Sequence, residues 1–108
     1  MDYHFYYPGG DVVDILAADI YGGNYKQSFH DQLVELANRR LIAMGEIGNA
    51  PAPEILDQQP QWAWFMMWSG FPWKKNTPEE IKALYQHPKV ITKDELKFKK
   101  SKYNIKVQ

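Results

Sequence analysis

Three apolar runs, separated by polar segments of a different period, organise this chain. Val12-Val13-Asp14-Ile15-Leu16-Ala17-Ala18 is mostly apolar, and so is Leu41-Ile42-Ala43-Met44-Gly45-Glu46 up to its last residue. Trp62-Ala63-Trp64-Phe65-Met66-Met67-Trp68 is apolar throughout. Runs of this length without polar alternation predict strands covered on both faces. Between the first two, Phe29, Leu33, Leu36, Ala37 and Arg40 recur at the spacing of an amphipathic helix. Gln27, Asp31, Gln32, Glu35 and Asn38 occupy its other faces, and Arg39-Arg40 suit its C-terminal dipole. Tyr6-Tyr7-Pro8-Gly9-Gly10-Asp11 predicts a turn, Gly22-Gly23-Asn24 a break, and Asn49-Ala50-Pro51-Ala52-Pro53 a loop. Glu54-Ile55-Leu56 predicts a short helical turn. In Asn76-Thr77-Pro78-Glu79-Glu80, Thr77 is an N-cap, Pro78 the first helical residue and Glu80 the partner in a capping box. That helix runs to about His87, where Pro88 stops it; Val90-Ile91-Thr92 reads as extended, and Thr92 to Glu95 as the cap of one more turn.

The order strand, helix, strand, short helix, strand, helix predicts an α/β fold with a parallel sheet. Each strand finishes in a polar or aromatic group: Asp19 and Tyr21, then Glu46, then Trp68. In parallel α/β folds ligands lie beyond the carboxyl ends of the strands, so these endings gather at one face. Each also has a plainer reading. Glu46 is equally a solvated residue that starts a loop, Asp19 an Asx-turn cap, and Tyr21 a rim aromatic. Trp62 and Trp64 are assigned to packing, whereas Trp68, beside Ser69-Gly70, is the candidate sugar platform.

Composition narrows the choice. A chain of 108 residues forms one domain. Basic and acidic residues balance at 13 each, yet Lys97, Lys99, Lys100, Lys102 and Lys106 lie at the C-terminus behind every acid. The rest therefore carries 8 basic against 13 acidic groups. An acidic body argues against nucleic acid, whose backbone needs a basic footprint. Absence of cysteine excludes a disulfide scaffold and thiolate chemistry. No apolar run approaches the roughly 20 residues of a membrane span, and Met1-Asp2-Tyr3-His4 lacks the basic region of a signal peptide. His4, His30 and His87 have no helical metal-pair spacing and read as surface or packing residues. Dinucleotide, phosphate-loop and serine-elbow signatures are missing. Carboxylate chemistry remains, with no metal or cofactor implied.

Several motifs carry a resemblance in their order and spacing. Tyr7-Pro8-Gly9, Val13-Asp14-Ile15 and Asp19-x-Tyr21 are followed by Ala43-Met44-Gly45-Glu46-Ile47-Gly48 and Trp64-Phe65-Met66-x-Trp68. Asn76-Thr77-Pro78-Glu79 and His87-Pro88-x-Val90-Ile91-Thr92-x-Asp94-Glu95-Leu96 complete the set. From about Tyr6 to Leu96 the chain resembles the C-terminal part of glycoside hydrolase family 26, best known for endo-β-1,4-mannanases. The resemblance implies a TIM (β/α)8 barrel in which residues 12–19, 41–46 and 62–68 are the sixth, seventh and eighth strands. Residues 1–96 then belong to the catalytic barrel, as its last three βα units, and 97–108 form a Lys-rich tail. It further implies retaining chemistry, with Glu46 as nucleophile, Tyr21 hydrogen-bonded to it, Asp19 binding sugar near the cleavage point and Trp68 flooring subsite −1.

Retaining chemistry needs a second carboxyl about 5–5.5 Å from the nucleophile. The family's general acid belongs to a His-Glu motif on the fourth strand, and nothing here matches it; Asp2 and His4 precede a strand that puts them at the opposite end. Such barrels take about 250 residues. The expectation is therefore a C-terminal fragment of a β-mannanase acting on mannan or galactomannan, inactive without the N-terminal part of its barrel and with two open sheet edges and an uncovered apolar face. The polymeric substrate implies an extracellular or periplasmic parent enzyme. Two alternatives stay open: a non-catalytic carbohydrate-binding or interaction domain, and a family enzyme acting on β-1,3-xylan or mixed-linkage β-glucan.

Overall fold

The computed structural model describes residues 2–95; Leu96 and the Lys-rich segment 97–108 lie outside the described residues. Strands β1 (Ile15–Ile20), β2 (Leu41–Ile47) and β3 (Trp62–Met67) form one parallel sheet in that order. Helix α1 (Gln27–Ala37) returns the chain from β1 to β2, and α2 (Pro53–Gln58) from β2 to β3. Parallel neighbours need such crossovers, because each strand must begin again at the same end of the sheet. Helices α3 (Phe71–Lys74) and α4 (Pro78–Gln86) follow β3. Neither α3 nor the 3-10 turn Tyr3–Phe5 is anticipated by periodicity, both being too short to show one.

β1 begins three residues later than its apolar run. Gly9 adopts φ 117 and its carbonyl accepts from Val12 N at 3.2 Å, so Val12 belongs to a turn and is exposed. Within this chain one face of the sheet is covered and the other largely open: Leu16, Ala18 and Ile20 are buried, whereas Ile15, Ala17 and Asp19 are exposed. Register puts Ile42, Met44 and Ile47 on the buried face, where they pack with Leu33, Ala37, Leu56 and Leu84. On the opposite face Ile15, Leu41, Trp64 and Met66 are 40–56% exposed.

Trp64, assigned to packing, lies on this open face within the chain, and the cause is local. Ile42 faces Trp62 and Met44 faces Phe65, so β3 carries one extra residue across this interval. That insertion breaks the alternation that would have placed Trp62 and Trp64 on one face. Trp62 does pack: its Nε1 donates to Gln59 Oε1 at 2.9 Å, and its ring meets His30 edge-on at 5.5 Å.

Helix ends follow their caps. Asn38 and Arg39 take left-handed backbone angles, so α1 stops at Ala37 rather than continuing through Arg40. Arg40 instead folds back and donates to the carbonyls of Ala37 and Gly10, at 3.2 and 2.7 Å. At α4 both halves of the Thr77–Glu80 capping box are present. Thr92 and Glu95 make a similar reciprocal pair, while 90–92 join no sheet among the described residues. His30 and His87 are buried packing residues bonded to Asp31 and Asp57, each at 2.9 Å.

Candidate active site

Strict alternation along β2 would turn Glu46 to the same face as Ile42 and Met44, into the core. It does not go there. Ala18 faces Met44 and Asp19 faces Glu46, so β2 has one residue more than β1 across this interval, and that residue is Gly45. The pairing with β3 shows the same excess, since Met44 faces Phe65 and Ile47 faces Met67. This bulge keeps Ile47 in the core and delivers Glu46 to the face that carries Asp19. Glu46 is thus the penultimate residue of β2 rather than its last, Asp19 lies within β1, and Tyr21 is the first residue beyond β1.

At this end of the sheet Tyr21 and Glu46 meet. The Tyr21 hydroxyl donates to Glu46 Oε2 at 2.7 Å. Asp19 Oδ1 lies over Gly45, where a Cβ would approach it to 3.0 Å and Ala17 Cβ to 3.2 Å. A Cβ on Gly48 would come within 3.1 Å of both Tyr21 Cδ1 and Lys75 Cδ. Tyr21 is held on another side by Phe71, edge to face at 6.2 Å, and Lys75 Nζ sits 4.9 Å from the centre of that same Phe71 ring. The glycines flanking Glu46 in sequence therefore make room for its two neighbours. Their presence is legible in the sequence, but their role as space is not, and neither is the contribution of Phe71 and Lys75.

The loop after β2 is pinned. Asn76 accepts from Ala50 N at 2.7 Å and donates to the carbonyls of Gly48 and Phe71, at 2.9 and 3.1 Å. Asn49 Nδ2 donates to Lys75 O at 2.8 Å, and the Tyr25 hydroxyl donates to Asn49 O. Buried Gln59 ties Tyr25 O to the Trp62 indole.

The Tyr21 phenol is held above its ordinary value of 10.0, first because its proton is shared with Glu46, then through partial desolvation and the charges of Glu46 and Asp19. The neutral donor form is therefore the one present near neutral pH. Glu46 Oε2 accepts from that donor. Trp68 stands apart as the first residue beyond β3, 54% exposed. Of the strand residues only Asp19 and Glu46 are acids, and among the described residues no group of three His, Asp or Glu is placed to hold a metal ion. A cavity of about 690 Å³ lies elsewhere, between β3 and residues 88–93, and a smaller one of about 190 Å³ borders β1 beside Tyr7. Neither contains Asp19, Tyr21, Glu46 or Trp68. No helix among the described residues is long and apolar enough to cross a membrane.

Comparison with known proteins gives a consistent set of matches. Residues 1–95 match the model of glycosyl hydrolase family 26. A mannan endo-1,4-beta-mannosidase of Thermothelomyces thermophilus is 37% identical over 100 residues, 84% of this chain but only 20% of that protein. The solved structure of GH26A from a Muricauda species superposes with a TM-score of 0.83 at 50% identity, over 88% of this chain and 31% of that one. A Podospora anserina GH26-CBM35 β-(1,4)-mannanase gives 0.73 at 36% identity, over 84% and 22% respectively. The chain thus spans about one fifth of the length of the curated relative it matches.

Proposed function

This chain belongs to glycosyl hydrolase family 26, and from that premise we propose that it is the C-terminal, nucleophile-bearing part of a retaining enzyme that cleaves internal β-1,4 bonds of mannan or galactomannan. The single observation that carries the reading is the Tyr21–Glu46 hydrogen bond at 2.7 Å, made where three parallel strands end and beside Asp19. The names of the matched mannanases support the substrate class. On this reading β1, β2 and β3 are the last three strands of a (β/α)8 barrel, and their exposed face lines its interior.

Glu46 Oε1 attacks the anomeric carbon as the bond to the leaving sugar oxygen breaks. That oxygen takes a proton from a general acid on a strand outside this chain, which leaves a glycosyl ester on Glu46. The same acid, now a base, removes a proton from water, whose oxygen displaces Glu46 and releases the sugar with its configuration retained. Tyr21 holds Glu46 Oε2 so that one oxygen faces the ring. Asp19 hydrogen-bonds the sugar beside the cleavage point, and Trp68 offers an apolar face beneath it. The mannan polymer places the parent enzyme outside the cytoplasm. Without the general acid the isolated chain forfeits a contribution of about 10²–10⁴-fold, and does not turn over.

The test is hydrolysis of mannan by the full-length natural protein, with and without Glu46→Ala. Release of manno-oligosaccharides by the wild type, lost in the variant while mannan is still bound, is the expected result. Release from β-1,3-xylan or mixed-linkage β-glucan alone would keep the chemistry and change the glycan. Mannan binding without hydrolysis, indifferent to Glu46→Ala, would make this a binding domain instead.

A further inference from the structure

Two same-face carboxylates on adjacent parallel strands, Asp19 and Glu46, are brought into register with each other. Directly opposed like charges repel, and the side chains of such pairs compete for one space. The bulge at Gly45 creates this pairing and also makes room for it. Gly45 is the extra residue, and its absent side chain leaves the volume that Asp19 Oδ1 enters, 3.0 Å from where a Cβ would stand. The φ of Gly45 is not in the left-handed region, so backbone freedom does not require a glycine here. Space does. The bulge also turns Glu46 out of the core onto the face of its register partner Asp19, where the Tyr21 hydroxyl, from just beyond the end of β1, reaches its Oε2.

We propose that Gly45 is the positioning residue of this site: as the bulged residue without a side chain, it gives Asp19 and Glu46 separate seats on one face and sets Glu46 against Tyr21. Gly45 touches neither sugar nor reacting atoms and acts through those two carboxylates. The proposal rests on the reading of Glu46 as the reacting carboxylate, but its geometric core can be measured without turnover. Deleting Gly45 keeps Glu46 opposite Asp19 but removes the bulge and the space that Asp19 Oδ1 enters, so the two carboxylates crowd each other and Glu46 is pushed off Tyr21. Gly45→Ala keeps the bulge and forces its Cβ against Asp19 Oδ1 and Ala17 Cβ, moving the strands apart by a few tenths of an ångström.

The experiment uses the full-length natural protein with ¹³Cζ-labelled tyrosine, the Tyr21 signal being assigned by its loss in Tyr21→Phe. In the Gly45 deletion the Tyr21 phenol is expected to titrate lower than in the wild type, towards the ordinary value of about 10, because Glu46 no longer accepts its proton. The mannan kcat is expected to fall by about 10²-fold with KM little changed, as a misplaced reacting group requires. Gly45→Ala moves both readouts in the same direction by less, and decides the matter if the deletion does not fold. A folded Gly45→Ala protein with an unmoved Tyr21 titration overturns the proposal, whether or not kcat has dropped. If the Tyr21 titration moves while the wild type hydrolyses no glycan, the placement by Gly45 stands and the mannanase reading is what fails.

Discussion

The two faces of the sheet differ sharply. One is complete: Leu16, Ala18, Ile20, Ile42, Met44 and Ile47 are 0–6% exposed beneath α1, α2 and α4. The other carries Ile15, Leu41, Trp64 and Met66 at 40–56% exposure, and at its carboxyl end the polar group Asp19, Tyr21 and Glu46. Apolar side chains of this size gain roughly 1.5–3 kcal/mol each on full burial, which the second face forgoes. On the proposed reading, the open face is the inner wall of a barrel, and its polar end is where the chemistry would lie.

Substitutions on the two faces can break that contrast. In the full-length protein, Met44→Ala should destabilise by about 2–5 kcal/mol in urea unfolding, since it empties a fully buried site. Met66→Ala should cost no more than about 0.5 kcal/mol in the isolated chain, as exposed positions do, and on the barrel reading clearly more in the full-length protein. Equal small costs in both would mean that the open face is a water face, against the barrel reading.

Tyr21→Phe should lower kcat/KM by about 10–100-fold through loss of one hydrogen bond to a charged group, with only a small drop in melting temperature near neutral pH. The same bond fixes an alkaline limit. Because the Tyr21 phenol titrates higher folded than unfolded, its contribution is complete below the unfolded value of 10.0 and is lost as pH rises through the folded one. Wild type should therefore lose stability through that range more steeply than Tyr21→Phe, as thermal melts at rising pH would show.

The smallest effect belongs to the helix face. The Asp31 carboxyl is held below 3.8, first by its bond to His30 and then by Gln27. A depressed value contributes stability above 3.8 and loses it as pH falls through the folded value. Asp31→Asn should flatten only this acidic limb of the melting profile, without touching activity.

Much of this was legible in the sequence, and what was not has definite causes. The Thr77–Glu80 box and the helix on either side of Leu33 rest on local chemistry, which the sequence displays. The start of β1 was hidden because Val12 and Val13 look like strand while the glycines before them impose a turn. Trp64 and Glu46 share a deeper reason. Each sits beside an extra residue, and alternation counted from one end of the strand assigns such positions to the wrong face. Candidate site residues could be picked out as strand endings. That Asp19 and Glu46 also share one side of the sheet could not, because it depends on a register set between strands.

The central claim is that Glu46 is the group that bonds to the sugar. A 2-deoxy-2-fluoro-mannosyl donor with a good leaving group tests it directly, because the fluorine slows breakdown of the glycosyl ester and lets it accumulate on the full-length protein. Peptide mass spectrometry should then place one fluoromannosyl group on Glu46, with none formed in Glu46→Ala. An ester on Asp19 or on a carboxylate outside this chain, or hydrolysis with inverted configuration and no ester at all, would contradict the account.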